Sequence, residues 1–435
     1  MSKKFLYLLC TALACGVLVA ACGDDDDGGG GGSAGNQEAG TTEGAKVIDP
    51  SSMDNAKGTV NYCTGKDTSG DLKEGVAEFN KANPGLTVKL IEFPEDAQQQ
   101  HDQFTQRQRA KSSDCDGFEE DVVWTAEFAQ QKWLYDMTPY VESRKNEFIP
   151  STLESITYDG KNWGAPRVTD AGLLFYRTDQ VDQVPDTWQG VYQDAAADNG
   201  IVYQGSAYEG LTVDYLELAF AAGGDVISED GTKSVINSPE NLKALQFMVD
   251  GIKDGAAPKA VTTMQEETAR RAWEAGKATF MRNWPYAYAL SKMAPKVKND
   301  FNVAPYPAFE GGGKAAVLGG HNMVISAYSQ NPGGTLKFID YMTSPERMKR
   351  NAVKYSKAPV LGETYQDADV KKALPFAPDL QQAVEQARSR PVSPVYPQIS
   401  EAIFKNVNAA LSGATSPEDA LKQADSDINQ ALQTF

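Results

Sequence analysis

Two histidines (His101 and His321), five cysteines and 59 acidic side chains are the residues of this 435-residue chain that could bind a metal, attack a substrate or move a proton. Their spacing supports little of that chemistry. Two histidines are too few for a His-rich zinc site, so no metal is expected. No phosphate-binding glycine loop, dinucleotide fingerprint or Gly-x-Ser-x-Gly elbow is present, and no cofactor is expected. A glycosidase needs two carboxyl groups about 5 to 9.5 Å apart across a cleft. Among 59 acids some pair can always be proposed, so that count decides nothing.

The cysteines are more telling. Lys3 and Lys4 precede an apolar run from Phe5 to Ala21, and Val19-Ala20-Ala21-Cys22 closes it. Small residues before a cysteine resemble a lipoprotein signal, cut before Cys22 with a lipid placed on its sulfur. An ordinary secretory signal cut after Ala21, or an uncleaved anchor, is the alternative. Asp24 to Asp27 and Gly28 to Gly32 follow, and the segment 22–56 is polar and glycine-rich. It reads as a disordered tether spanning roughly 30 Å. Cys10 and Cys15 leave with residues 1–21. Cys63 and Cys115 remain, and in an exported chain they are expected to form one disulfide, with two buried thiols as the alternative.

The elements that must position a site come next. Past the tether, hydrophobic content of 41% suits a globular body, and its length exceeds what one core supports, so two lobes are expected. The formal charge of −18 repels phosphate backbones and anionic headgroups, which excludes nucleic acid and direct lipid contact as partners. Strand patterns at 60–63, 86–91 and 121–124 alternate with helical patterns at 71–81, 95–111 and 127–133. Asn83-Pro84-Gly85 ends the first helix. Further helices are expected at 238–254, 264–275, 335–342 and 417–432. Alternation of this kind predicts α/β layers with largely parallel sheets.

Several stretches, in order, resemble family 1 extracellular solute-binding proteins of the maltose/trehalose branch. They include Gly65-Lys-Asp-Thr68, Asp121-Val-Val-Trp-Thr-Ala-Glu127, Thr169-Asp-Ala-Gly-Leu-Leu-Phe-Tyr-Arg177 and Tyr208-Glu-Gly-Leu211. Later ones are Phe280-Met-Arg-Asn-Trp-Pro-Tyr286, Leu318-Gly-Gly-His-Asn322, Tyr341-Met-Thr-Ser-Pro-Glu346 and Arg390-Pro-Val-Ser-Pro-Val-Tyr396. The resemblance covers about 58–435. It implies a two-lobe fold like that of periplasmic binding proteins, of the maltose-binding type, with discontinuous lobes joined by a hinge. The lobes would be 57–167 plus 315–362 and 168–314 plus 363–435.

A sugar offers hydroxyl pairs and a weakly apolar face, so a site needs flat aromatics and planar donors or acceptors. The resemblance assigns stacking to Trp284, hydroxyl acceptance to Asp170 and a forked donor to Arg390. It adds Asp67, Thr68, Glu127 and Glu209 as contacts and Gly320 as a backbone contact. Asp121 reads as structural, and Trp163, Trp188 and Trp273 as packing. Two departures stand out. His321 occupies a position where relatives carry Trp, and Arg167 or Val168 one where they carry an aromatic. Both open the site to a more polar or anionic ligand. The implied function is a lipid-anchored, monomeric, extracytoplasmic receptor of an ATP-binding-cassette importer. It would bind a disaccharide or related α-glucoside and pass it to the membrane subunits without chemistry. A lipid-anchored glycoside hydrolase using Asp170 and Glu209, a sensory lipoprotein, and a binder of another polar solute are the rivals.

Overall fold

The computed structural model describes residues 41–434. The signal segment, Cys22 and the tether up to residue 40 lie outside the described residues. Among those described, no helix is long and apolar enough to cross a membrane.

In chain order the strands are β1 (Gly58–Thr64), β2 (Leu86–Glu92), β3 (Gly117–Asp121), the hairpin β4 (Thr157–Tyr158) and β5 (Lys161–Asn162), and β6 (Ala165–Ala171). They continue with β7 (Leu173–Arg177), β8 (Ile201–Val202), β9 (Phe280–Asn283), β10 (Phe301–Ala304) and β11 (Leu318–Ile325). One sheet has the order β2-β1-β3-β11-β6, and a second the order β10-β7-β9-β8. In the first, β1 runs parallel to β2 and β3, while β11 is antiparallel to β3 and β6. Each sheet anchors one lobe.

The chain passes from the first sheet to the second at Gly172, the single residue between β6 and β7. A Cβ there would stand 2.0 Å from the Tyr306 hydroxyl and 2.4 Å from a Glu217 carboxylate oxygen, so only glycine fits. This crossing lies beyond the expected 167/168 boundary because β6 continues its pairing with β11 as far as Ala171.

Local sequence explains the helices that flank the sheets. Asp71–Ala82 buries Leu72 and Phe79 on one face, and the chain turns at Asn83 ahead of Pro84-Gly85. Phe79 and Tyr62 of β1 both meet Phe338 edge-on, at 5.3 and 5.1 Å, which ties that helix, the sheet and the helix Pro332–Met342 into one core. Three Ser-Pro pairs start helices. The side chains of Ser238, Ser344 and Ser416 accept a backbone N–H of the first turn, and proline occupies the first helical position, where its missing N–H costs nothing. In the second lobe the helix Glu209–Ala221 is buried along nearly its whole length. Trp163, Trp188 and Trp273 are core residues.

Three features differ from the sequence expectation or extend it. The strand expected at 121–124 is β3, and Val122 to Trp124 instead turn into the helix Thr125–Gln130. Its sequence, Gly-Phe-Glu-Glu-Asp, hides a buried strand because Glu119 is neutralised by Arg167 and burial pushes the Glu120 carboxyl up to about 8. Residues 41–56, expected within the tether, lie on the first lobe: Ile48 is in its core and Thr42 hydrogen-bonds Asp159. Cys63, near the end of β1, and Cys115, just before β3, are joined in a disulfide with Cα atoms 5.7 Å apart.

Candidate functional site

The C-terminal ends of the parallel strands β1 and β3, the start of β11 and the end of β6 all open onto one cleft, faced from the other side by second-lobe residues. Crevices at the carboxyl ends of parallel strands are where open α/β sheets bind ligands. Asp67, Thr68, Asp170, Glu209, Trp284, Gly320, His321 and Arg390 all line it.

Glu127 does not. It is buried in the first turn of its helix, and its carboxylate meets His101 Nε2 at 2.5 Å. Its acidity serves a contact between helices behind the cleft wall. Trp124, just before that helix, lines the cleft instead.

Asp67 is a cap as much as a cleft residue. Its Oδ1 accepts from Ser69 N and Oγ and from Gly70 N, and its Oδ2 from Leu72 N and Lys73 N. Five donors fix the start of the helix Asp71–Ala82, which Gly70 enters with φ 87°. Thr68 is exposed on the cleft, and its hydroxyl makes no hydrogen bond among the described residues.

Arg167 reaches the cleft floor already occupied. Its Nη1 donates to Asp71 at 2.6 Å, and its Nε and Nη2 donate to Glu119 at 3.1 and 2.8 Å. Burial raises both carboxyls, but the guanidinium outweighs it and holds them below the usual range. The cation that the sequence placed in the cleft is therefore neutralised by its own lobe. His321, at the other departure, is half-exposed, and burial pushes its imidazole below the ordinary value. Gly320 has φ 126°, and a Cβ there would sit 2.2 Å from the Val168 carbonyl oxygen. Its own carbonyl accepts from Val122 N, so the glycine lets β6 and β11 approach and its oxygen is used within the fold.

Asp170 is different. Its carboxylate makes no hydrogen bond among the described residues. Burial pushes it up to about 7, against the pull of Lys357, Arg282 and Arg167. Close by, Trp284 follows β9 in a turn where Asn283 Oδ1 accepts the Trp284 N–H. The Arg282 guanidinium stands 4.0 Å from the Trp284 ring centroid and covers one face. Glu217, Tyr306 and Gln204 hold Arg282 in that position. Gly319 lets the ring approach, since a Cβ there would be 2.9 Å from the indole edge. Glu266, first in its helix, accepts from the Tyr208 hydroxyl at 2.7 Å, and burial raises its carboxyl.

Arg390 spans the floor. Its Nη1 donates to Glu209 at 2.6 Å, and its Nη2 donates to Asp121 and the Leu318 carbonyl, each at 3.2 Å, while its buried Nε has no partner among the described residues. Glu209 also accepts from Tyr396 and Ser400, and burial raises its carboxyl. Glu209 therefore serves first to hold Arg390, and Asp121, read as structural, joins that link.

Sequence reasoning missed Trp124, Tyr208, Tyr286, Glu266 and Lys357, all of which line the cleft. The three aromatics stand inside or beside motifs already singled out, and an aromatic-by-aromatic reading of those motifs would have found them. Lys357 carried no signal. Among the described residues, no cluster of three or more His, Cys, Asp or Glu is arranged to hold a metal.

Comparison with known proteins places this geometry. The model of the bacterial extracellular solute-binding protein family matches residues 65–349. A probable ABC transporter-binding protein of Deinococcus radiodurans is 35% identical over 379 residues, covering 82% of this chain and 89% of that protein. Maltose-bound T. maritima MalE3 superposes with a TM-score of 0.82 at 36% identity, over 86% of this chain and 99% of its own. The GacH receptor of Streptomyces glaucescens, solved unliganded and with acarbose, shares the fold with a TM-score of 0.79 at 23% identity, over 87% of this chain and 99% of its own.

Proposed function

The chain belongs to the bacterial extracellular solute-binding proteins, and on that premise we propose that its cleft captures a disaccharide or related α-glucoside, of maltose or trehalose type, and presents it to the membrane subunits of an importer. The observation that carries this reading is the pairing of Trp284 with Asp170. A tryptophan braced from behind by Arg282 stands beside a carboxylate that has no hydrogen-bond partner among the described residues. A pyranose meets both: its C–H face stacks on the indole, and its hydroxyls donate to the carboxylate.

The cleft also disfavours anions. Asp67, Asp71, Glu119, Asp121, Asp170, Glu209 and Glu266 line it, and Arg167 and Arg390 are already bound to carboxylates. A sugar phosphate entering it would find few free donors. The maltose bound by T. maritima MalE3 supports a neutral gluco-disaccharide.

The mechanism is selection of the closed form. The ligand bridges first-lobe groups such as Thr68 and second-lobe groups such as Trp284 and Tyr286, and only the closed arrangement supplies both sets. One rim contact joins the lobes directly: Gln265 Nε2 donates to Asp96 Oδ2 at 2.6 Å, and each residue caps its own helix. Cys22 serves as the lipid anchor that keeps the receptor at the outer face of the membrane.

A thermal-shift panel tests the reading. Saturating maltose or trehalose is expected to stabilise the purified protein, by about 2.7 kcal/mol at a hundredfold excess over the dissociation constant. The sugar should remain intact. Release of glucose would instead favour a hydrolase with Asp170 as the acid, and stabilisation only by charged solutes would remove the sugar assignment.

A further inference from the structure

Lys357 is the one cation lining the cleft that has no carboxylate in ion-pair contact among the described residues. Lys66 pairs with Glu95, Arg271 with Glu267, and the two buried arginines with two carboxylates each. Lys357 is half-buried, and its ammonium stands 5.4 Å from the centroid of the Tyr286 ring. Its charge is felt at Asp170, the cleft carboxylate that also lacks a hydrogen-bond partner. Among the described residues, this ammonium and this carboxylate face the same cleft without a hydrogen bond between them, so both are left for a ligand to meet. A hydroxyl satisfies both, because it accepts from one and donates to the other.

The backbone holds Lys357 in this position. The helix Pro345–Tyr355 ends at Ser356, whose φ of 53° is left-handed, a conformation uncommon outside glycine. The next step of the chain pairs with β6, where Thr169 N donates to the Ala358 carbonyl at 3.3 Å. Lys357 is thereby fixed to the first lobe beside Asp170. Tyr286 belongs to the second lobe, just past β9, and its hydroxyl donates to Glu267 at 2.8 Å.

We propose that Lys357 is a specificity-determining residue of this cleft, donating to the ligand hydroxyl that Asp170 accepts from, and that its contact with Tyr286 couples this hydrogen bond to lobe closure. The proposal rests on the reading of the cleft as a sugar site. It selects neutral ligands that carry a hydroxyl at this position and penalises deoxy analogues, which would leave both charges unmet.

The test is calorimetric titration of maltose and trehalose into wild type, Lys357→Met, Lys357→Arg, Tyr286→Leu and Asp170→Asn, with melting temperatures and small-angle scattering. Lys357→Met is expected to weaken binding by about 10- to 100-fold, the range for a hydrogen bond to a charged group. It should do so without lowering the ligand-free melting temperature, and Lys357→Arg should recover part of the loss. Tyr286→Leu should weaken binding less and leave the liganded protein more open. In the Asp170→Asn background, Lys357→Met should still weaken binding. Wild-type affinity in Lys357→Met overturns the assignment, and so does an effect that vanishes once Asp170 is replaced. A wild type that binds neither sugar overturns the sugar reading and this inference with it.

Discussion

Arg167 and Arg390 lie at the floor of the same cleft, both buried and each holding two carboxylates, yet they do different work. Arg167 and its partners Asp71 and Glu119 all belong to the first lobe. Arg390 ties Asp121, at the end of β3, to Glu209, at the start of a second-lobe helix. The same chemistry rigidifies one wall in the first case and joins two walls in the second. The consequence for recognition is that the terminal nitrogens of both guanidiniums are committed to the fold, with only the buried Arg390 Nε lacking a partner among the described residues. Selectivity falls to the groups left unpaired, Asp170 and Lys357, and to the aromatic surface of Trp284.

Breaking the first arginine should have the largest effect. Arg167→Met leaves Asp71 and Glu119 buried without a cation, a loss of roughly 3–5 kcal/mol in stability measurable by denaturant unfolding. Arg390→Met should destabilise on a similar scale, but it alone should also enlarge the radius of gyration of the ligand-free protein. Equal scattering from both variants would erase the contrast. Next comes Trp284→Ala, expected to cost at least about 2 kcal/mol in sugar affinity, as buried tryptophan anchors do, with little change in unfolding.

A smaller effect is expected from pH. Burial raises the Asp170 carboxyl to about 7, so the free protein holds that proton until near neutrality. Hydroxyl donors favour the charged form, so binding expels the proton and affinity rises as pH passes upward through 7. The folded pKa is raised above the unfolded value, so the same carboxyl lowers stability as pH climbs from about 4 to 7. Asp170→Asn should flatten the affinity profile and make the stability profile less steep, the remaining slope coming from other raised carboxyls such as Glu120. Smallest of all is Glu127→Gln, which lies behind the wall and should leave sugar affinity within about twofold by titration.

The fold was legible because its signals are local. Helices 239–253, 266–274 and 417–432 fall within a few residues of the expected 238–254, 264–275 and 417–432, since Ser-Pro starts and apolar periodicity are written in adjacent residues. β3 was misplaced because Glu119 is neutralised by Arg167, far along the chain, and burial raises the Glu120 carboxyl, and neither effect has a local signature. The site divided the same way. Trp284 and Asp170 stand in stretches that resemble known binding proteins. Glu127 stands in one too, but its orientation toward His101 depends on tertiary packing. Arg167 was visible as a cation and invisible as a satisfied one, because Asp71 and Glu119 lie far from it in sequence. Lys357 reaches the cleft only through the left-handed turn at Ser356 and the bridge to Thr169.

The most direct test of the central claim is calorimetric titration of maltose, trehalose, glucose and a glucose phosphate into wild type and Trp284→Ala. The account predicts that a neutral disaccharide binds the wild type, that the phosphate does not, and that Trp284→Ala loses most of the affinity while remaining folded. Binding of the charged sugar alone, or a disaccharide affinity indifferent to Trp284, would contradict it.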